Sequence, residues 1–461
     1  MSQNKDEMST MPVRQLLMKL AIPTVIASLV NLLYNIVDRI YIGHIPGIGA
    51  SALTGAGLFM PILLLINSFA ALVCSGGAPL AGIAMGGGHH RKAARILSNC
   101  FTLILILSVI LTFVFYASAP ALLRFFGASD DTLPYALPYS RIYILGTVFV
   151  MIAYGMNLFI SAQGFSKTAM LSVTIGALIN IALDPLLMFV FDMGVEGAAI
   201  ATDISQAVSC VWILCFLFGT KTRIAIQREY MKLEKDIFLP CLQLGLSTFI
   251  MISTESLLSI SFNHSLAQYG GDMAVGAMTI ITSLSSLISM PLHGLCQGGT
   301  PIISYNYGAG KTDRVKEAFR EMITAAVILC MTFWCLTMFT PKVMAAIFTT
   351  DEALISYAVR CMHIYFAVIF TTAFQTVCQQ SFVALGQAKI SIFLACLRKL
   401  ILLIPLIFIL PLFISDKVFA VFLAEPLSDF IAASITAYCF LRFLKNLRPD
   451  QETSASQAVK Q

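Results

Sequence analysis

Apolar residues run along this chain in long, nearly unbroken stretches. They show neither the alternation of half-buried strands nor the one-sided stripe of soluble helices. Twelve stretches stand out, near 14–42, 51–75, 94–118, 134–159, 166–190, 196–218, 237–264, 273–297, 316–340, 354–382, 389–413 and 418–444. Each, as a helix, is long enough to cross a hydrocarbon core of about 30 Å. The pattern predicts an all-α membrane protein with twelve transmembrane helices.

Composition strengthens that reading. The 461 residues are 58% hydrophobic and only 11% charged, against about 25% charged in soluble domains. The net charge of +5 is a matter of topology and implies no nucleic-acid partner. His89, His90, Arg91, Lys92 and Arg95, then Lys167, the stretch from Lys221 to Lys235, then Lys311, Arg314, Lys316 and Lys389 fall on one side of the twelve crossings. The opposite loops carry Arg124, Lys342 and Lys417 beside Asp130, Asp131, Asp192, Asp351, Glu352 and Asp416. The basic side is cytoplasmic by the positive-inside rule, as are both termini. No removed signal peptide is read at the start. The twelve cysteines lie mostly singly in apolar runs, without metal-ligand spacing, and read as small packing residues.

An internal repeat fixes the organisation. Cys74-Ser75-Gly76-Gly77-Ala78-Pro79 returns as Cys296-Gln297-Gly298-Gly299-Thr300-Pro301, an offset of 298 − 76 = 222. Gly86, Gly88, Tyr135 and Gly164 return as Gly308, Gly310, Tyr357 and Gly386 in the same register. Each repeat holds six crossings, an even number, so both start on the same side. Two six-helix bundles related by a pseudo-two-fold axis along the membrane normal are expected, with a cavity between them. The domains read as a cytoplasmic segment 1–13, an N-terminal lobe 14–218, a cytoplasmic linker 219–236, a C-terminal lobe 237–447 and a polar tail 448–461. The paired glycines could in principle cradle phosphate, but no Lys-Ser/Thr follows at the needed spacing. Close helix packing explains them.

Candidate chemistry is sparse. Asn180 and Asp184 lie in the fifth apolar run, four residues apart and so on one helix face. A carboxylate there costs roughly 2.5–3.5 kcal/mol to insert and must face protein, water or a cation. Together the two offer hard oxygen ligands for H⁺ or Na⁺. Pro185 follows and leaves a backbone acceptor without its helical donor. Tyr34 and Asp38 share a face in the first run, where Pro23 is a candidate hinge. Thr202 and Gln206 share a face in the sixth. Asp203 and Glu425 are equivalent in the repeat (425 − 203 = 222), which suggests a shared structural role. Positions equivalent to Asn180 and Asp184 are Leu402 and Leu406, so this polar site is confined to the first repeat. Glu255, in Ser253-Thr254-Glu255-Ser256, is a separate acid of the seventh run.

Several stretches together resemble the multidrug and toxic compound extrusion (MATE) family, close to its bacterial MepA- and DinF-like branches. They are Val37-Asp38-Arg39-Ile40-Tyr41-Ile42-Gly43, the paired Gly-Gly-x-Pro segments, Asn180-Ile181-Ala182-Leu183-Asp184-Pro185-Leu186, Gly197 to Thr202, Gly386-Gln387-Ala388-Lys389 and Ala424-Glu425-Pro426. The resemblance implies a cation site at Asp38, Asn180, Asp184 and Thr202, able to take Na⁺ as well as H⁺, with Tyr34 and Tyr139 nearby. It also implies a supporting role for Glu255. The helix-ten aspartate of one branch is missing here, where only Gln375 and Gln379 are offered.

The expected function is antiport of small organic, mostly cationic amphipathic compounds against H⁺ or Na⁺ by alternating access. The expected protein is a monomer in the inner (plasma) membrane, in contact with lipid and without a cofactor beyond the coupling ion. Abundant Phe, Tyr and Met would line a permissive cavity. The alternative is a flippase for lipid-linked saccharides, which would need cationic side chains inside its cavity to hold pyrophosphate. Arg141, Arg360 and Arg398 are the bases nearest to such a place. An enzyme is not expected, because no HExxH or nucleophile motif is present.

Overall fold

The computed structural model describes residues 3–447. The predicted tail from Arg448 lies outside the described residues, where every regular element is helical. A short helix α1 (Gln3–Thr10) precedes the first crossing, α2 (Val13–Gly43). The second and third are α3 (Gly49–Gly86) and α4 (His90–Phe125). The fourth is broken into α5 (Leu133–Leu145) and α6 (Thr147–Ala162), bent by 55° at Gly146. The fifth is α7 (Ser166–Pro185), which runs into a π-helical turn Leu186–Val190, and the sixth is α8 (Gly194–Leu217).

The second repeat follows the same plan. α9 (Lys235–Gly308) is two rods meeting at Gly271, whose φ of 61° and ψ of −158° no helix has. α10 (Thr312–Phe339) and a short α11 (Pro341–Ala346) come next. The tenth crossing is broken again, into α12 (Glu352–Tyr365) and α13 (Thr371–Ala384). α14 (Ala388–Cys396), a π-helical stretch Leu397–Leu403 and α15 (Ile404–Phe413) form the eleventh, and α16 (Lys417–Asn446) the twelfth. Twelve crossings result among the described residues, each overlapping its predicted run.

The repeat is visible in the backbone. Gly88 and Gly310 end the second and eighth crossings with φ of 78° and 71°. Gly164 and Gly386 end the fourth and tenth with φ of 86° and 72°. Only glycine adopts this region freely, so these positions are fixed by the turn.

Contacts gather the chain into two compact units that do not part at the linker. One is Ile22–Ile252; the other joins residues up to Ala21 with those from Ser253 on. This differs from the division at 218 and 237 expected from the repeat, and the paired glycines supply the reason. A Cβ on Gly298 would overlap the backbone of Leu20 and Ala21. The early turns of α2 therefore pack with the C-terminal unit. A Cβ on Gly76 would overlap the Cys241 carbonyl, and one on Gly245 the Leu72 carbonyl. The early turns of α9 therefore pack with the N-terminal unit. Each glycine removes the side chain that would hold two backbones apart. The neighbouring glycines serve side chains: a Cβ on Gly77 would meet Cys100, and one on Gly299 would meet Met322, again 222 residues on.

The described part of the N-terminal segment, residues 3–13, and the linker 219–236 are straps rather than loose tethers. Asn99 donates to the Tyr230 carbonyl at 3.0 Å and accepts from the Glu234 amide at 2.8 Å, while Arg95 pairs with the Glu234 carboxylate. The Gln163 Oε1 accepts from Thr222, Arg223 and Ile224. In the C-terminal unit Asn306 donates to the Met8 carbonyl at 3.0 Å and Arg314 to the Met11 carbonyl at 2.7 Å. Tyr230 and Met8 occupy equivalent positions (230 − 8 = 222), but their anchors do not, since Asn99 and Asn306 are 306 − 99 = 207 residues apart.

Candidate functional site

Three elements of the N-terminal unit build the predicted site. α7 carries Asn180 and Asp184 one turn apart, and both are buried. α8 carries Thr202, also buried, and α2 carries Asp38. Pro185 cannot donate to the carbonyl of Ile181, and the helix relaxes there into the π-helical turn Leu186–Val190. Asp184 thus sits where α7 stops being regular.

The Asn180 amide donates to Asp184 Oδ1 at 3.1 Å and to Thr202 Oγ1 at 3.3 Å. The Thr202 hydroxyl spends its own proton on the Ala198 carbonyl at 3.0 Å. The Asp38 and Asp184 carboxylates lie within electrostatic range of each other, and Tyr34 and Tyr139 within range of both. Tyr139 is buried against Phe59 and Tyr143. Three oxygens of the site are buried and accept no hydrogen bond: Asp38 Oδ1, Asn180 Oδ1 and Asp184 Oδ2. The neighbouring Arg39 leaves Asp38 Oδ1 uncovered, because successive helical residues diverge. Buried acceptors are normally paired. Three left open in one unit, two of them on carboxyl groups, are what a proton or a small hard cation satisfies.

The other predicted residues are placed elsewhere. Asp203 lies against the break of the fourth crossing: a Cβ on Gly146 would overlap its carboxylate, and its Oδ1 is buried without a hydrogen bond. Pro23 is buried within α2, next to the division between the units at Ala21 and Ile22. Glu255 is far along the chain from the Asp184 site and belongs to the other unit.

The C-terminal unit holds a charged cluster that the sequence reading did not assemble. Lys399 pairs with Glu255. Arg398 Nε donates to Asp429 Oδ1 at 2.7 Å, and its Nη2 reaches Glu425 Oε1 at 3.4 Å. Thr372 donates to Asp429 Oδ2 at 3.3 Å, and Ser428 to the Arg398 carbonyl at 3.0 Å. Three acids face two bases. Both bases lie on the π-helical stretch Leu397–Leu403. The expected common role of Asp203 and Glu425 does not hold. Glu425 has Arg398, whereas the first repeat has Gly176 at that place (398 − 222 = 176), so Asp203 has no such partner. Adjacent Arg398 and Lys399 inside the apolar run 389–413 were the available signal.

Comparison with known proteins agrees with this architecture. A family model described as MatE matches residues 23–186 and 248–409. The multidrug export protein MepA of Staphylococcus aureus (strain NCTC 8325 / PS 47) is 23% identical over 429 residues, covering 93% of this chain and 94% of the relative. MepA of Staphylococcus saprophyticus is 24% identical over 425 residues, covering 92% and 93%. Among solved structures, a MATE protein in its bent conformation superposes with a TM-score of 0.90 at 21% identity, covering 99% of both chains. A transporter of the MOP superfamily from Pyrococcus furiosus, described as having a binding pocket of reversed polarity that suggests a different function, superposes at 0.89 with 22% identity, covering 97% and 99%. At such identities the structural likeness establishes the fold alone.

Proposed function

The chain belongs to the MatE family, and from that premise we propose that it is a secondary active exporter of small organic cations, driven by exchange for H⁺ or Na⁺. It is a transporter and carries out no covalent chemistry. The reading places it in the plasma membrane with both termini and both straps on the cytoplasmic face. The observation that carries the reading is the set of three unpartnered oxygens of Asp38, Asn180 and Asp184 on membrane-spanning helices. The description of the staphylococcal relatives as multidrug export proteins supports the cargo class.

The mechanism follows from charge. With its carboxylates bare, the site repels itself and draws in a cation. With a proton or Na⁺ bound, that charge is cancelled, and α2 can be buried against α7 and α8 at lower cost. Two states of the bundle then differ in free energy by what the ion contributes, and cargo affinity differs between them. Thr202 and Tyr34 position rather than exchange. The flippase alternative needs bases free to hold an anionic headgroup. Arg398 and Lys399 are instead paired with carboxylates, which disfavours it.

The test is transport of a fluorescent cation into everted vesicles under an imposed pH gradient and then an imposed Na⁺ gradient, each without the other. Movement driven by one of them is expected. A rate indifferent to both would refute the antiport.

A further inference from the structure

We propose that Arg141 binds the phosphodiester of an anionic phospholipid, in the leaflet opposite the strap 219–236. Binding there requires no particular cargo or coupling ion.

The strap is held at the start of α4, by Arg95 and Asn99, and at the end of α6, by Gln163. The end of α4 and the start of α5 therefore form the opposite end of this unit. Arg141 is eight residues beyond the start of α5 at Leu133 (141 − 133 = 8), about 12 Å along the helix. Tyr116 is nine residues before the end of α4 at Phe125 (125 − 116 = 9), about 14 Å from that end. The two meet at one level within membrane-spanning helices. The Arg141 guanidinium lies over the Tyr116 ring, 5.4 Å from its centroid.

Tyr139 is buried in the unit, whereas Arg141, about 200° further round α5, is exposed. The surface around it is apolar. Leu145, one turn on, is 60% exposed, and Phe113, one turn before Tyr116, is 73% exposed. On a membrane-spanning helix such a face meets acyl chains. A cation there is costly unless a counter-charge answers it. The protein supplies none. Asp130, in the loop between α4 and α5, pairs with Arg124 at 3.6 Å, and no acid among the described residues pairs with Arg141. Helical side chains lean toward the helix N-terminus. For α5 that is the headgroup end, so the guanidinium rises toward the lipid phosphates. Stacking on Tyr116 uses the face of the guanidinium and leaves its edge donors for two parallel bonds to phosphate oxygens. The acyl chains then lie over Leu145 and Phe113. In a zwitterionic headgroup the lipid's own ammonium competes for the phosphate, which favours an anionic one.

The second repeat differs at this place. His363 and Met338 are the equivalents of Arg141 and Tyr116 (363 − 141 = 222 and 338 − 116 = 222). There the ring Nε2 meets the Met338 carbonyl at 3.3 Å. A carbonyl only accepts, so the ring proton is spent on it, and the neutral ring has just an acceptor left. Phosphate finds no donor at that position.

Native mass spectrometry of the purified full-length protein in detergent tests this, with phosphatidylglycerol and phosphatidylcholine titrated separately. Arg141→Gln is expected to bind phosphatidylglycerol about tenfold more weakly than wild type. Arg141→Lys, which keeps the charge without the fork, is expected to fall between them. His363→Gln is expected to match wild type. Phosphatidylcholine binding is expected to be the same in every variant, which also shows that each is folded. Inorganic phosphate, without chains to cover Leu145 and Phe113, is expected not to displace the lipid. Equal phosphatidylglycerol affinity in wild type and Arg141→Gln would overturn the proposal. So would an equal loss in His363→Gln, or a loss of phosphatidylcholine in step with phosphatidylglycerol. Displacement by inorganic phosphate would overturn the lipid as the occupant.

Discussion

Asp184 is fully buried, yet one of its oxygens accepts nothing, and the other depends on a single amide from Asn180. That imbalance predicts the effect of removing charge while keeping shape. Asp184→Asn and Asp38→Asn should lose ion-coupled efflux but accumulate in the membrane like wild type, as measured by efflux of a fluorescent cation alongside immunodetection. Arg398 behaves in the opposite way. Removing one partner of a buried ion pair leaves the others uncompensated, at about 3–5 kcal/mol. Arg398→Gln should therefore lower the thermal transition in detergent sharply, and adding Asp429→Asn should recover much of the loss. Asn180 and Asp184 were legible in the sequence because they sit four residues apart on one helix, whereas joining Asp38 and Thr202 to them, from two other helices, took the family resemblance. The cluster around Arg398 was not legible. Glu255 and Lys399 are 144 residues apart, and only folding shows that the base answers that acid.

At the scale of the element, backbone contacts and straps decide where helices belong. A methyl on Gly298 meets the backbone of Leu20 and Ala21, which cannot move aside locally; one on Gly299 meets the flexible Met322 thioether. Gly298→Ala should therefore lower the thermal transition more than Gly299→Ala, with an overpacking cost of about 1–3 kcal/mol. The repeated Gly-Gly-x-Pro segments were readable from sequence as close packing, but the partner of each was not. No local pattern announces that early α2 and early α9 would join different units. The straps show the same limit. Polarity alone marked 219–236 as a linker, whereas Asn99, buried in α4, holds it at both Tyr230 and Glu234. Asn99→Ala strands those groups, at about 1–3 kcal/mol, and should speed proteolytic nicking between Gly219 and Asp236 relative to wild type.

Across the whole molecule, two matched repeats carry unmatched charge. The register of 222 recurs in the glycine turns and the broken fourth and tenth crossings. It fails where chemistry sits: Asp184 answers Leu406, and Arg398 answers Gly176. The shared features were legible from sequence because helix length and turn geometry are local. The divergent ones needed the fold, since a charge in an apolar run signals importance without naming its partner. The central claim is that the uncompensated acids of the first repeat couple a small ion to the cargo. Its most direct test is gradient-driven uptake of a fluorescent cation by proteoliposomes containing Asp184→Asn, with equilibrium cargo binding measured on the same preparation. The account predicts retained binding and no response to the ion gradient. Gradient-driven uptake at the wild-type rate would contradict it.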